Sequence, residues 1–301
     1  MERKRHHITV CICTYKREEM LARLLKELKH QSTDDLFTYS VVIVDNDYTQ
    51  TARHVVEGIE KESNITIDYY CEPEQNIALA RNKAVQNASG DLLAFIDDDE
   101  VPTKEWLLNL YKAIYKFNVS GILGPVLPYF ETSPPNWVVR SQLCERKSFE
   151  SGTIIRNPID TRTGNVLLDR NVLFDKNPFD YRFGKTGGED VDFFRRLMER
   201  GNVFVWSNEA HVYEFVPQYR LKRKYFIKRA LLRGVVSASH ISIISFSTLK
   251  SIIALIVYTV VLPILLLMGH HLFMKYLIKD CDHLGKLMAL CGVHVIKERP
   301  S

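Results

Sequence analysis

Leu92-Leu-Ala-Phe-Ile-Asp-Asp-Asp-Glu100 is the stretch that decides the fold. Five apolar residues in a row suit a strand buried on both faces, the kind that fills a parallel sheet covered by helices. Four acids follow at once. Like charges at this density repel and raise one another's pKa unless a cation sits among them. Mg²⁺ and Mn²⁺ take oxygen ligands and are usually shared with substrate phosphates. The competing reading is a solvated acidic turn; the position at the carboxyl end of a buried strand favours a binding site.

Working outward, other segments repeat the arrangement. Ile8 to Cys13 and Tyr39 to Val44 are apolar runs with strand character, and Ile65 to Cys71 is another. Helical spacing covers Glu18 to His30, Ala52 to Glu62, Ile77 to Asn87 and Lys104 to Phe117. Strands alternating with helices imply right-handed βαβ units and a mostly parallel, Rossmann-like sheet. Thr14, Asp45 and Asp97 each follow an apolar strand, and open parallel sheets bind ligands just outside the carboxyl ends of their strands. From about Gly121 the pattern breaks into loops and short strands at Thr153 to Arg156 and Val166 to Asp169. Gly184 to Gly188 then leads into a helix over Glu189 to Arg200, with Val191, Phe194, Leu197 and Met198 as its apolar residues. Glu189 and Asp190 in its first turn suit the helix dipole; one of them could equally serve as a general base. No GxGxxG or P-loop pattern occurs.

The 301 residues, 46% of them hydrophobic, suffice for a sizeable core, and a formal net charge of +4 gives nucleic-acid binding no support. The charge is uneven: Arg220 to Arg233 holds seven Lys or Arg and no acid, which suits phosphates on a lipid surface or a ligand. Directly after it, Ser251 to Gly269 is nineteen residues without a charge, near the length of a membrane crossing. Pro263 interrupts this segment, and Lys or Arg flank both of its sides, so both flanks prefer the cytoplasm. A spanning helix therefore competes with a re-entrant or interfacial one. The six cysteines show neither zinc spacing nor a disulfide framework and read as reduced, mostly buried thiols of a cytosolic setting. Met1 to His7 is basic and lacks the apolar core of a signal peptide.

The chain resembles the family 2 glycosyltransferases. The resemblance rests on Thr9-Val-Cys-Ile-Cys-Thr-Tyr-Lys-Arg17, Val41-Val-Ile-Val-Asp-Asn-Asp47, Asn76-Ile-Ala-Leu-Ala-Arg-Asn-Lys-Ala84, Phe95-Ile-Asp-Asp-Asp-Glu-Val-Pro102, Gly164-Asn-Val-Leu-Leu168 and Gly188-Glu-Asp-Val-Asp-Phe193, in family order over residues 8 to 235. It implies a GT-A fold and an inverting, metal-dependent transfer of a sugar from a nucleotide-sugar, with UDP the commonest nucleotide. Thr14, Tyr15, Arg17, Asp45, Arg81, Asp97 and Asp98 would line the donor site, with Asp45 on the base. Asp99, last acid of the DXD segment, would hold Mn²⁺ or Mg²⁺. Asp190 would be the general base, with Glu189, Gly188 and Asn165 on the acceptor side. Val216-Pro-Gln-Tyr-Arg220 before a basic stretch is similar to the succinoglycan glucosyltransferase-like enzymes of bacterial surface polysaccharides, and makes Arg220 a candidate for the donor diphosphate. Many relatives carry a further metal-binding histidine after the base helix. Here Glu214 occupies the aligned position, and His211, three residues before it, is either a further metal ligand or a plain packed histidine. The Gln-x-x-Arg-Trp motif of processive synthases is absent, which implies addition of a single sugar.

These expectations divide the chain into a catalytic domain over 1–235 and a membrane-associated region over 236–301. The site faces the cytoplasm at the inner membrane, and its acceptor is a glycan or a lipid-linked intermediate. Two other readings remain: a nucleotidyltransferase acting on a sugar phosphate, and a non-catalytic membrane scaffold. Release of intact nucleoside diphosphate excludes the first. Stabilisation by nucleotide only in the presence of metal counts against the second.

Overall fold

The computed structural model describes residues 5–62, 64–173, 175–185, 187–238 and 242–293. The first four residues of the basic start, and Thr186 of the glycine-flanked loop, lie outside them. The elements in chain order are β1 (His6–Thr14), α1 (Glu18–Leu28), β2 (Phe37–Asp45), α2 (Arg53–Glu60), β3 (Ile67–Cys71), α3 (Ile77–Asn87), β4 (Leu92–Ile96), β5 (Glu100–Pro102), α4 (Trp106–Phe117), β6 (Gly121–Leu123) and β7 (Val126–Tyr129). There follow α5 (Asn136–Ser141), β8 (Asn165–Asp169), α6 (Glu189–Glu199), β9 (Phe204–Trp206), β10 (Val212–Phe215), α7 (Arg223–Ala238), α8 (Phe246–Met268) and α9 (His270–Leu290). Contacts group these elements into two compact units.

The first unit runs to Leu127 and resumes over 146–184 and Gly188–Phe215. Its seven-stranded sheet has the order β3-β2-β1-β4-β8-β6-β9. β1 pairs in parallel with both β2 and β4, whereas β8 runs antiparallel to β4 and β6. Period-two alternation splits each strand between two cores. Ile8, Val10 and Ile12 of β1 face α1, α2 and α4 through Leu21, Leu24, Val56 and Trp106. Cys11, with Val42 and Phe95 of the neighbouring strands, faces α3 and α6 through Ala80, Ala84 and Phe194. β1 and β2 each begin two residues before their apolar runs, because the ladder extends to the pair His6–Phe37. In α6 the phase differs from the sequence reading: Phe193 is buried beside Phe194 and Leu197, while Val191 and Met198 are only half-buried. Phe193 turns inward to pack against Phe179, the rings tilted with centroids 4.4 Å apart.

The second unit comprises Pro128–Glu145, Lys185–Gly187 and the chain from Val216. The boundary expected at residue 235 falls inside the continuous helix α7, which groups with α9 rather than with the sheet. Its core joins Val138 of α5, Phe226 and Ala230 of α7, and Met274, Ile278 and Cys281 of α9. α8 has 23 residues and a mean hydropathy of 2.7 over its most apolar window, long and apolar enough to cross a membrane. The six cysteines carry no disulfide; two are buried, three half-buried and Cys291 exposed, so they are less buried than their sequence context suggested.

Candidate active site

The strand order places β1, β2 and β4 side by side with their carboxyl ends on one edge, Thr14 directly opposite Asp45 in the ladder. The antiparallel pair Ile96–Asn165 brings the start of β8 to the same edge. Here the acid run turns back on itself. Thr14 Oγ1 donates to Asp98 Oδ2 at 2.8 Å, and Arg17 Nη1 donates to Asp98 Oδ1 at 2.8 Å and Asp99 Oδ2 at 3.1 Å. Asp98 is buried; burial raises its pKa, against the pull of Arg17 and the Thr14 hydrogen bond. Asp97 keeps its carboxylate 42% exposed. Glu100 curls under the run, accepting from the Asp97 amide at 3.1 Å, and burial with Asp97 nearby pushes its pKa well up.

A second layer comes from α3 and α6. Asn76 caps α3 by accepting from the amides of Ala78 and Leu79, and holds the Tyr181 carbonyl with its amide nitrogen at 2.9 Å. One turn on, Arg81 is buried and spans two acidic segments: Nη1 donates to Glu189 Oε1 at 2.5 Å and Nη2 to Asp97 Oδ1 at 3.3 Å. Burial alone would lower its pKa, but Glu189, Asp97 and Asp190 outweigh that and raise it. Gly188 enters α6 at φ +94°, in the left-handed region that favours glycine. Glu189 is buried at 1% exposure, and Asp190 beside it is half-buried.

Several expected residues sit differently from a direct ligand contact. Asp45 is fully buried, and its oxygens accept from the amides of Asp47 (3.2 Å) and Ala52 (3.0 Å) and from Tyr69 Oη (2.8 Å), so it holds the turn after β2. Tyr69 in turn has its pKa raised by burial and by Asp45. Asn165 is also fully buried and its amide is committed: it accepts from Trp106 Nε1 at 2.8 Å and donates to the carbonyls of Pro125 (3.0 Å) and Ala210 (2.7 Å). What reaches the acids from this strand is Gly164, where a Cβ would lie 2.6 Å from Glu100 Oε1 and 3.1 Å from Asp97 Oδ2. His211 rests edge-on against Tyr213. Tyr15 is 37% exposed with Lys16 over its ring. Arg220 lies in the second unit, against Tyr219.

Sequence reasoning missed two arginines. Arg146 pairs with Glu214, which stands opposite Glu100 in the β5–β10 ladder. Arg162 lies in the field of Arg146, Glu100, Asp190 and Glu214, its pKa lowered to about 10 by burial and by Arg146. Both lie in the aperiodic stretch before β8, where no spacing marks them. Glu214, which the family resemblance sets at a histidine position, is half of an ion pair.

The acid run fits a divalent cation that borrows phosphate oxygens. Among the described residues no three His, Cys, Asp or Glu side chains converge into a cage. Yet Asp97 is open to solvent, and Glu100 Oε1 is a buried acceptor without a hydrogen-bond partner behind it. Mg²⁺ and Mn²⁺ in nucleotide sites are held by one or two carboxylates plus the substrate's phosphates.

Comparisons with known proteins agree with this geometry. The family model for glycosyl transferase family 2 matches residues 9–182. The chain is 34% identical over 233 residues to the succinoglycan biosynthesis protein ExoM of Rhizobium meliloti, covering 76% of this chain and 73% of that one. It is 37% identical over 232 residues to validoxylamine A glucosyltransferase of Streptomyces hygroscopicus subsp. jinggangensis, covering 67% and 54%. Among solved structures it resembles the mannosyltransferase PcManGT from Pyrobaculum calidifontis, in complex with GDP-Man and Mn²⁺ (TM-score 0.57, 20% identity, 76% of this chain and 62% of that one). It also resembles S. aureus TarS 1–349 in complex with UDP (TM-score 0.53, 16% identity, 96% and 93%). The sheet order, the edge on which the acids gather and the family match over more than half the chain converge: this chain belongs to glycosyl transferase family 2 and has the GT-A fold.

Proposed function

We propose that the protein is an inverting, metal-dependent glycosyltransferase that moves a single sugar from a nucleotide-sugar, a UDP-sugar foremost, to a lipid-linked or surface-polysaccharide acceptor. The observation that carries this reading is Arg81, whose one guanidinium binds both Asp97 of the acid run and Glu189 beside Asp190. Two acidic segments far apart in sequence are thereby held in fixed relation, as a reaction with a leaving diphosphate and an attacking hydroxyl requires.

Thr14, Tyr15, Arg17, Arg81, Asp97 and Asp98 form the donor side, and Asp45 acts on the nucleoside through the turn it holds. Asp99, with Asp97, would hold the cation, which when bound neutralises charge on the departing nucleoside diphosphate. Asp190 takes the proton from the acceptor hydroxyl as that oxygen attacks the anomeric carbon from the face opposite the diphosphate, which inverts the centre. Glu189, tied to Arg81, fixes the first turn of α6, so that Asp190 is presented at one angle. Arg220 is the candidate for a diphosphate contact. The basic stretch of α7 and the apolar α8 suit an inner-membrane enzyme whose site faces the cytoplasm.

The purified protein, supplied with a panel of nucleotide-sugars and an extract of lipid-linked glycans, is expected to release nucleoside diphosphate with Mn²⁺ or Mg²⁺ and not with EDTA. A product that keeps a nucleotide phosphate, or release that EDTA leaves untouched, would overturn the reading.

A further inference from the structure

α8 is apolar, yet the way it is packed disagrees with a crossing of the bilayer. A single residue, Gly269, joins it to α9, and the two helices run back antiparallel along their whole length. Lys286 Nζ donates to Ser247 Oγ at 2.7 Å near one end of the hairpin; Thr259 Oγ1 donates to Asp280 Oδ2 at 3.3 Å nearer the tip; between them Tyr258 lies against Tyr276 and His283. α9 is in turn locked to α7. Arg233 binds Asp282 through two nitrogens at 3.0 and 2.8 Å. The backbones touch where Gly234 meets Gly285: a Cβ on either would lie 2.2 Å from a carbonyl oxygen of the other helix.

A perpendicular α8 would carry this whole assembly through the hydrocarbon. Lys279 of α9 is exposed ten residues from the hairpin tip, roughly 15 Å along the helix and so near the middle of a bilayer. The part-exposed Arg233–Asp282 pair that ties α7 to α9 lies thirteen residues from the tip, roughly 20 Å, and so still within the hydrocarbon. Such charges avoid that depth. The two faces of α8 divide accordingly. Thr248, Ser251, Leu255, Tyr258, Leu262 and Leu265, at helical spacing, turn towards α9, whereas Leu249, Ile253, Ile256, Val260, Ile264 and Leu267 form an uninterrupted exposed stripe. A groove of about 290 Å³ beside the first half of α8 is lined by Leu249, Ile253, Ala254 and Val257 together with Lys250 and Tyr258.

We infer that α8 lies flat in the headgroup boundary of an anionic lipid leaflet, exposed stripe down, with α9 stacked on it as a spacer and α7 supplying basic charge, and that it does not cross the membrane. This deepens the membrane-surface reading proposed above and rests on it. Basic charges on both flanks of the segment conflict with a crossing but agree with a helix that stays on one side. Pro263 fits too: it removes the amide that would pair with the Thr259 carbonyl, a loss tolerated in the hydrated boundary.

The test places nitroxide labels at Leu249, Ile256, Val260 and Leu267 through a noncanonical amino acid in the full chain, on vesicles of phosphatidylcholine containing phosphatidylglycerol. Depth is read from accessibility to oxygen and to a polar nickel reagent. Four similar, shallow depths are expected. A graded depth, changing by about 1.5 Å per residue over the stripe, means a crossing and overturns the inference. Labels shielded from both reagents and broadened by one another in detergent mean a second copy covers the stripe, and also overturn it. As an independent check, Ile256→Glu with Val260→Glu is expected to lower partition onto the vesicles at least about tenfold, with the circular dichroism spectrum kept. Nucleoside diphosphate release in detergent is measured in parallel. Flat labels without release would sink the enzyme reading and leave the membrane geometry standing; release with graded labels would do the reverse.

Discussion

The acid run after β4 and the acid pair opening α6 solve the same problem in the same way. In each, one carboxylate is buried and bound by an arginine: Asp98 by Arg17, Glu189 by Arg81. In each, a neighbour is left more open: Asp97 at 42% exposure, Asp190 half-buried. A buried carboxylate that loses its partner is costly, so the arginine fixes the backbone at that point and the adjacent acid inherits a defined position. The two segments differ in what they can hold. The run concentrates three aspartates on a tight turn, suited to a cation and phosphates; the pair sits on a helix start, where the dipole favours a lone carboxylate anion.

The largest effect is expected at the open member of the pair. Asp190→Asn keeps size and hydrogen bonding but removes the proposed base, and transfer should fall by about 10²–10⁴-fold. Donor binding, read by the rise in Tm with UDP and Mn²⁺, should survive. Near-normal turnover by this variant would move the base elsewhere and leave Asp190 with only the helix-dipole role.

Arg81→Met strikes both segments at once. It leaves Glu189 buried without its cation, at a cost of about 3–5 kcal/mol in stability. Arg81→Lys should recover part of the stability and little of the activity, because one ammonium cannot reach both Asp97 and Glu189 with the fork of a guanidinium. Equal, near-wild-type melting of all three proteins would mean that the link between the segments carries nothing.

Within the run, the two buried acids that share Arg17 should separate by readout. Asp98→Asn should cost roughly 1–3 kcal/mol in Tm measurements, since it disturbs buried hydrogen bonds from Thr14 and Arg17. Asp99→Asn should leave Tm closer to wild type and abolish the metal-dependent part of the UDP-induced rise. If Asp98→Asn instead removes the metal response, the roles of the two are exchanged.

The contrast also explains what the sequence could reveal. β2 and β4 are continuous apolar runs that state their burial outright, and Thr14, Asp97 and Asp190 are found by standing at the ends or starts of such elements. Asn165 shows the limit of that rule. The family resemblance puts it on the acceptor side, but the indole of Trp106, fifty-nine positions away, claims its amide. Arg146 and Arg162 show the opposite failure. They come from an aperiodic stretch and reach the acids through the antiparallel pairings of β8 with β4 and β10 with β5, long-range registers that no local pattern announces. The ends of parallel strands are legible because local chemistry specifies them; residues delivered by antiparallel returns depend on tertiary packing.

Glu214 and Arg146 give the smallest and most specific test of the comparison, because they add a partly buried acid with its own arginine beside Glu100. Glu214 is closed off by this ion pair, which agrees with the proposal that the cation is held by the aspartates and the phosphates. A double-mutant cycle of Glu214→Gln and Arg146→Met should show a coupling of roughly 0.5–3 kcal/mol in stability, because either change alone strands a partly buried charge and both together do not. The activity of the double variant should then exceed that of Arg146→Met. If Glu214 were itself a metal ligand, Glu214→Gln would raise the Mn²⁺ concentration needed for half-maximal turnover, and adding Arg146→Met would not restore it. An unchanged Mn²⁺ requirement, with the coupling present, makes the pair a brace for β5 and β10 and confines the metal to the run that follows β4.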